Sequence, residues 1–387
     1  MRFAFISTMH GFPWGGSEEL WSQAAIQLKR TGHDVLASVA YWPRLSDKVN
    51  ELTQNGISLE THSSPQTGQA RRIWNKLSLS RLRSYERLKR FNPDLVVISQ
   101  GHNSGGFNWA RTCREAAIPY AIIVNCNSEL WWFGKQLDEA IASYTGAHRI
   151  FCVSNSNLDL LRLQLGEPLK NAELARNPYN VSTEHPPAWP DESGGWRLAN
   201  VARLEIAAKG QDLLLQTLAR PEWRCRPVEL NLYGTGPDEP ALRRMAGMLQ
   251  LNNVHFRGHV SDIMAIWAQN HLLVLPSRYE GLPLSLIEAM WCRRPAVVTD
   301  AGGNAELCVD GETGFVASAA TLSSFSHTLQ QAWEQRKNWS RLGHAARNRV
   351  EKQIPKDPVV LFCEQLNACI ASKSGDPLVA EPSRVHV

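Results

Sequence analysis

Leu275 to Gly303 reads LPSRYEGLPLSLIEAMWCRRPAVVTDAGG, and the fold of the 387-residue chain is read outward from this stretch. A short apolar run ends at Pro276, a polar loop follows, and Pro283 stands where a helix beginning near Leu284 accepts a residue lacking an N–H. A second apolar run, Ala296 to Thr299, follows after one helical length. Strand, loop, helix and strand make a βαβ unit. Glu280 lies in the loop and Glu288 one turn inside the helix. The helix start offers unpaired N–H groups and the positive end of a dipole, which suits phosphate, and Gly281 lets the backbone come close. Two carboxylates touching one phosphate would repel it. They fit if each accepts hydrogen bonds from hydroxyls of a sugar and a ribose flanking a diphosphate. Taken alone, most such glutamate pairs are helix-terminus and surface residues.

The same alternation runs along the whole chain. In the first half the expected strands are Phe3 to Ser7, Val35 to Ala40, Leu95 to Ser99, Tyr120 to Asn125 and Arg149 to Ser154. A helix is expected from about Ser17 to Arg30, with Leu20, Trp21, Ala24, Ala25 and Leu28 on one face and Gly32 past its end. The segment STEHPPAWPDESGG, from Ser182 to Gly195, has no periodicity and is rich in proline and glycine, so the interdomain linker is placed at 186–195. Strands then resume at Arg197 to Ala202, Val228 to Tyr233, Val254 to Arg257, His271 to Leu275 and Ala296 to Thr299. The expectation is an α/β protein with two doubly wound, Rossmann-like domains, 1–185 and 196–372, facing across a cleft, and a disordered tail at 373–387.

Bulk properties narrow the function. With 41 basic and 37 acidic residues the net charge is +4, too balanced to argue for nucleic acid. The eight cysteines form no Cys-x-x-Cys pair and do not cluster with histidines, which fits buried thiols in a reducing compartment. The apolar run at Met1 to Ser7 is shorter than a signal-peptide core, and no stretch approaches the roughly 18 apolar residues of a membrane span. A cytoplasmic protein is expected, free or held at a membrane surface. No Asp-x-Asp pair or metal-spaced His/Cys/Asp cluster occurs in the sequence, so no metal and no cofactor are expected.

Around the opening stretch the motifs resemble those of retaining glycosyltransferases of the GT-B fold, in the large family that includes sucrose synthases and bacterial mannosyl- and glucosyltransferases. Glu280 and Glu288 have the family's spacing, with Glu288-Ala289-Met290, Pro295 to Asp300 and Gly302-Gly303-Asn304-Ala305-Glu306 following in order. Upstream, Arg203-Leu204 and Lys209-Gly210 resemble its Arg-Leu and Lys-Gly pair. Leu232 to Pro237, with Gly234 at a tight turn, and Phe256 to Val260 resemble its nucleotide-lining segments, the base meeting main chain near Val260. Gly234-x-Gly236 lacks a glycine at 239 and is no dinucleotide fingerprint. In the first half GFPWGGSEE, from Gly11 to Glu19, resembles the family's glycine loop, and Gly15 and Gly16 would let it close over the donor diphosphate.

The resemblance implies a nucleotide-sugar donor and a glycan or lipid-linked acceptor. Arg203, Lys209 and Glu280 are the expected catalytic residues, two cations stabilising the departing diphosphate and a carboxylate orienting the sugar. Gly15, Gly16, Gly234, Val260, Gly281, Leu282, Leu284 and Glu288 are the expected donor-binding residues, Glu288 on the ribose. Many relatives carry a histidine beyond the strand corresponding to Tyr120 to Asn125, where this chain has Asn125-Cys126-Asn127. His102 or Asn127 is the expected substitute on the acceptor side, although a loop histidine is more often a surface residue. Trp131-Trp132-Phe133 suits either sugar stacking or a core. Residues 71–90 carry eight basic side chains against Glu86, which fits a membrane-surface segment and equally a solvated helix face. A polysaccharide or glycolipid synthesis enzyme is the expectation; a phosphorylase or epimerase of the same fold, or an inactive glycan or nucleotide binder, is the alternative.

Overall fold

The computed structural model describes residues 1–9, 11–43, 46–62 and 84–371. Among these residues thirteen strands form two wholly parallel sheets. The first holds β1 (Arg2–Ser7), β2 (Asp34–Ala40), β3 (Ser58–His62), β4 (Leu95–Gln100), β5 (Tyr120–Val124), β6 (Arg149–Cys152) and β7 (Ala172–Leu174), in the order β3-β2-β1-β4-β5-β6-β7. The second holds β8 (Trp196–Val201), β9 (Val228–Tyr233), β10 (Val254–Gly258), β11 (Leu272–Leu275), β12 (Ala296–Thr299) and β13 (Gly314–Ala317), in the order β10-β9-β8-β11-β12-β13. Each sheet reverses its winding once, between β1 and β4 and between β8 and β11. Ligands of such sheets lie outside the carboxyl ends of the strands at these reversals.

Parallel strands covered on both faces need continuous apolar runs, and these strands have them. Along β1, Phe3 and Phe5 face one layer with Trp21 and Leu28, while Ala4 and Ile6 face another with Ile98 and Tyr144. In the second sheet Leu198, Leu230 and Val297 point to one layer and Ala199, Leu273 and Val298 to the other. The α/β, doubly wound architecture expected from the sequence is the one found.

Residues before 186 already pack on the second domain: Tyr179 meets Trp291 with ring centroids 5.4 Å apart, and Arg347 donates to the Thr183 carbonyl. The last helix, Pro358–Ala371, crosses back to the first. Phe362, Cys363, Leu366 and Cys369 enter the core built by Trp21 and Phe151, with Phe362 edge-on to Phe151 at 5.1 Å. An apolar face of this size needs a matching groove, and the helix Glu19–Arg30 supplies it. The expected tail 373–387 and most of the basic segment 71–90 lie outside the described residues.

Candidate active site

Both winding reversals point into the same space, and the glycine loop of the first domain meets the cation-bearing loop of the second there. The guanidinium of Arg203 lies over the Phe12 ring, 3.7 Å from its centroid. A Cβ at Gly15 would stand 3.8 Å from the Arg203 guanidinium, and one at Gly16 would stand 3.4 Å from Leu284. Gly15 and Gly16 therefore face Arg203 and the start of the helix Leu284–Trp291, whose N-cap, Pro283, makes no side-chain capping bond. The helix expected from Ser17 opens as a short 3-10 turn, Gly16–Glu18, before the α-helix Glu19–Arg30.

Arg203 and Lys209 are set by backbone packing. A Cβ at Gly234 would run into the Ala202 carbonyl and one at Gly236 into the Leu204 carbonyl, so the turn after β9 presses on the loop that carries Arg203. Asp238 ties that loop down by accepting from the Ile206 N–H at 2.7 Å. Gly234 thus acts through the Arg203 loop. Lys209 ends the turn Ile206–Lys209, and Gly210 follows at φ +64°, where a Cβ would strike the Pro276 carbonyl at the end of β11. Arg278 completes the junction, bonding Asp212 at 2.8 and 2.9 Å and the Ile206 carbonyl at 2.7 Å.

This close approach brings Lys209 Nζ to 2.6 Å from Glu280 Oε1, which also accepts from the Ser277 hydroxyl at 2.8 Å. Glu280 is only 5% exposed, so the ion pair and hydroxyl bond keep a buried charge satisfied. Arg203 pairs with Glu205. Gly281 sits behind Glu280 with no room for a side chain: a Cβ would overlap the Asn125 carbonyl oxygen. The Gly281 carbonyl accepts from the Gly303 N–H at 2.7 Å, and a Cβ at Gly302 would strike the Glu280 carbonyl. The glycines of both motifs let three backbone segments meet where the domains touch. Leu282 is buried beside Gly303, and Val260 is half-buried beyond β10.

Glu288 lies on the buried helix and accepts from the Asn180 N–H at 3.1 Å. Burial pushes its carboxyl up to about 7, against the lowering effect of that bond. Cys126 is pushed up to about 12 by burial; the Glu280 charge adds to the rise and those of Lys209 and Arg203 oppose it. The two acceptor-side expectations fare differently. His102 is stacked on Trp131 with centroids 4.1 Å apart, and its Nδ1 accepts from the Ser104 N–H at 3.2 Å, so its proton belongs on Nε2. Trp131 in turn meets Tyr279, the neighbour of Glu280, at 4.6 Å. Asn127 is buried and bonds through both amide atoms to Asn157, at 2.8 Å to its carbonyl, so its amide is engaged within the first domain.

Residues beyond the expected set hold the domains together. Glu306 accepts from the Ser156 N–H at 2.7 Å and pairs with Arg176 at 3.4 Å, while Asn157 donates to the Glu280 carbonyl at 3.2 Å. Glu306 stood in a quoted motif, yet its partners lie some 130 and 150 positions away and no local pattern points to them. Among the described residues no group of three or more His, Cys, Asp or Glu side chains could hold a metal ion, and no helix is long and apolar enough to cross a membrane.

Two Rossmann-like sheets closing on one shared cleft define the GT-B class. Solved structures agree in fold: Alr3699/HepE of Anabaena, solved with UDP-glucose, has a TM-score of 0.74 at 18% identity, covering 96% of this chain and 100% of that one. TarM of S. aureus has 0.72 at 12%, with the same 96% and 100%. Residues 196–335 match the family model for glycosyl transferases group 1. Curated relatives include alpha-D-kanosaminyltransferase of Streptomyces kanamyceticus, 35% identical over 113 residues, or 28% of this chain and 29% of that protein. D-rhamnosyltransferase WbpZ of Pseudomonas aeruginosa is 30% identical over 146 residues, 36% and 37% of the two chains. The lipopolysaccharide core mannosyltransferase LpcC of Rhizobium leguminosarum is 45% identical over 78 residues, 20% and 22%. These matches span less than two fifths of the relatives' length.

Proposed function

We propose that the chain is a retaining, metal-independent glycosyltransferase that moves a sugar from a nucleoside diphosphate donor to a hydroxyl of a glycan or glycolipid acceptor. The observation that carries this reading is that Arg203, on the loop that also carries the Lys209–Glu280 pair, and Leu284 at the start of the helix Leu284–Trp291 both come up against the Gly15–Gly16 loop. Glycine at 15 is not demanded by the protein's own packing, since a Cβ would make only ordinary contacts there; a diphosphate bound against the loop would demand it. The relatives named above for sugar transfer, and the neighbour solved with UDP-glucose, favour a diphosphate-linked sugar as that ligand.

In the proposed reaction the acceptor oxygen bonds to the anomeric carbon on the face from which the diphosphate leaves, as the carbon–oxygen bond to the β-phosphate breaks. The acceptor proton passes to the leaving phosphate oxygen. Arg203, Lys209 and the helix start take up the growing negative charge, supplying by protein groups what a divalent ion supplies elsewhere. Glu280, held by Lys209 and Ser277, has its second oxygen to orient a sugar hydroxyl. Glu288 holds the ribose. To test this, the protein is incubated with UDP- and GDP-sugars and glycoside acceptors, with and without EDTA, and the product is read by NMR. An α-linked product from an α-linked donor, formed equally with EDTA, is expected. An inverted product, strict metal dependence or donor isomerisation without transfer would each contradict the reading.

A further inference from the structure

The Arg203 guanidinium is held on one face and along one edge. Its face lies over the Phe12 ring, 3.7 Å from the centroid, and its Nε and Nη2 both donate to Glu205 Oε2, at 3.0 and 2.5 Å. Nη1 stands on the edge away from Glu205 and is the guanidinium nitrogen nearest Gly15, 3.8 Å from where a Cβ there would sit. Fully exposed ion pairs contribute little, but here the two side chains are 30% and 21% exposed. Among the described residues this arginine–aromatic contact alone joins the two domains; the others fall within 189–347.

Both holding groups are themselves anchored. Two residues past Phe12, Trp14 packs on Trp21 with ring centroids 6.0 Å apart and donates from Nε1 to Glu19 at 2.8 Å, which ties the loop to the core of the first domain. Glu205 is the N-cap of the turn Ile206–Lys209. Its N–H donates to the Arg203 carbonyl at 2.9 Å, and its carbonyl accepts from the Lys209 N–H at 2.8 Å. The residue that grips Arg203 therefore also sets the backbone of Lys209. A loose arginine gives up rotamer freedom whenever it meets a ligand. A guanidinium already fixed by a ring and a carboxylate has little left to give up, and its remaining edge presents donors in a set direction. A carboxylate this close also repels a diphosphate, so the opposing reading is that Glu205 restrains the Arg203 charge. The edge it takes favours orientation: Glu205 occupies Nε and Nη2, and Nη1 is turned to Gly15.

We propose that Phe12 and Glu205 are positioning residues of the diphosphate site: a ring from one domain and a carboxylate from the other fix the Arg203 guanidinium before the donor arrives, with Nη1 turned toward the glycine loop. Their role rests on the transferase reading, which assigns the diphosphate to that site. Affinity of the full chain for UDP, GDP, ADP and dTDP is measured by calorimetry, for wild type and for Phe12→Leu, Phe12→Tyr, Glu205→Gln and Arg203→Ala, each checked for folding by thermal unfolding. For a nucleotide that binds, Phe12→Leu should weaken affinity about fivefold, the worth of one cation–π contact, and Phe12→Tyr should match wild type. Glu205→Gln should weaken it as well, although it removes a negative charge. Neither Phe12→Leu nor Glu205→Gln should weaken binding further in the Arg203→Ala background, because both act through that guanidinium. Equal losses with and without Arg203, wild-type affinity in Phe12→Leu, or tighter binding by Glu205→Gln would overturn the assignment. A second readout needs neither the Phe12 nor the Glu205 variants. With nitrogen-labelled arginine, the Arg203 Nε–H line, identified by its loss in Arg203→Ala, should stand apart from those of solvent-exposed arginines without nucleotide and shift when it is added. A line lying among them would contradict prior fixing. Failure of the wild type to bind any of the four nucleotides would instead end the transferase reading, and the role of both residues with it.

Discussion

Lys209 and Glu280 meet at 2.6 Å, and each is the other's closest charged partner in a site proposed to hold a diphosphate. If Lys209 stabilises the departing phosphate, Lys209→Ala should lower kcat by about 10²–10³ with a smaller change in donor KM, since one oriented donor to a developing charge is worth that much. Steady-state kinetics decides it, and an unchanged kcat would place the chemistry elsewhere. Glu288 supports a second prediction. Its folded pKa of about 7 exceeds its ordinary 4.5, so between those values the folded state holds a proton that the unfolded state has released. Its contribution to stability is therefore present at low pH and declines as pH rises through the window, by up to about 3 kcal/mol. Glu18, also pushed up to about 7, works in the same sense, and His271, pushed down to about 4, in the opposite sense between about 4 and its ordinary 6.5, so the whole-protein curve mixes all three. Glu288→Gln isolates the carboxyl: the variant should gain on wild type between pH 5 and 8 in denaturant unfolding, and a constant difference would contradict the assignment. At this scale the sequence singled out two locally spaced pairs, Arg203 with Lys209 and Glu280 with Glu288. It could not show Ser277 as a partner of Glu280, or the role of Glu306, because those contacts depend on how two distant loops meet.

The helix Leu284–Trp291 and the loop before it show how far glycine positions shape an element. Gly281 has the Asn125 carbonyl where a Cβ would sit, and Asn125 belongs to the other domain. Gly281→Ala should therefore push the two domains apart at the site. We expect turnover to fall by at least an order of magnitude while the second domain, whose core the change does not enter, unfolds near its wild-type temperature in calorimetry; full activity would show that the close approach is not needed. The central strands were legible from their apolar runs, and the observed β9 and β12 coincide with the expected Val228 to Tyr233 and Ala296 to Thr299. β3, β7 and β13 were not expected, and all three lie at sheet edges. SLETH and AEL are partly exposed and lack the continuous apolar signal of buried strands, whereas GFVA is apolar but only four residues long.

For the whole molecule, two sheets of one winding pattern share a cleft, and the final helix straps the chain back onto its first half. Phe362 and Leu366 are almost wholly buried against that half, each burial worth about 1.5–3 kcal/mol. Truncation before Pro358 should lower the melting temperature of the first domain and expose the face around Trp21 to a hydrophobic dye, whereas an unchanged melting curve would contradict the strap. The two-domain plan was legible from the alternation and the restart after Gly195. The returning helix was not, because an amphipathic face read from sequence does not say which of two grooves it fills. The most direct test of the account is a crystal structure with a bound nucleoside diphosphate, UDP or GDP. The account predicts the β-phosphate at the start of the helix Leu284–Trp291, within hydrogen-bonding distance of Arg203 and Lys209 and beneath Gly15 and Gly16. A diphosphate bound anywhere else, with both cations turned away from it, would contradict the account.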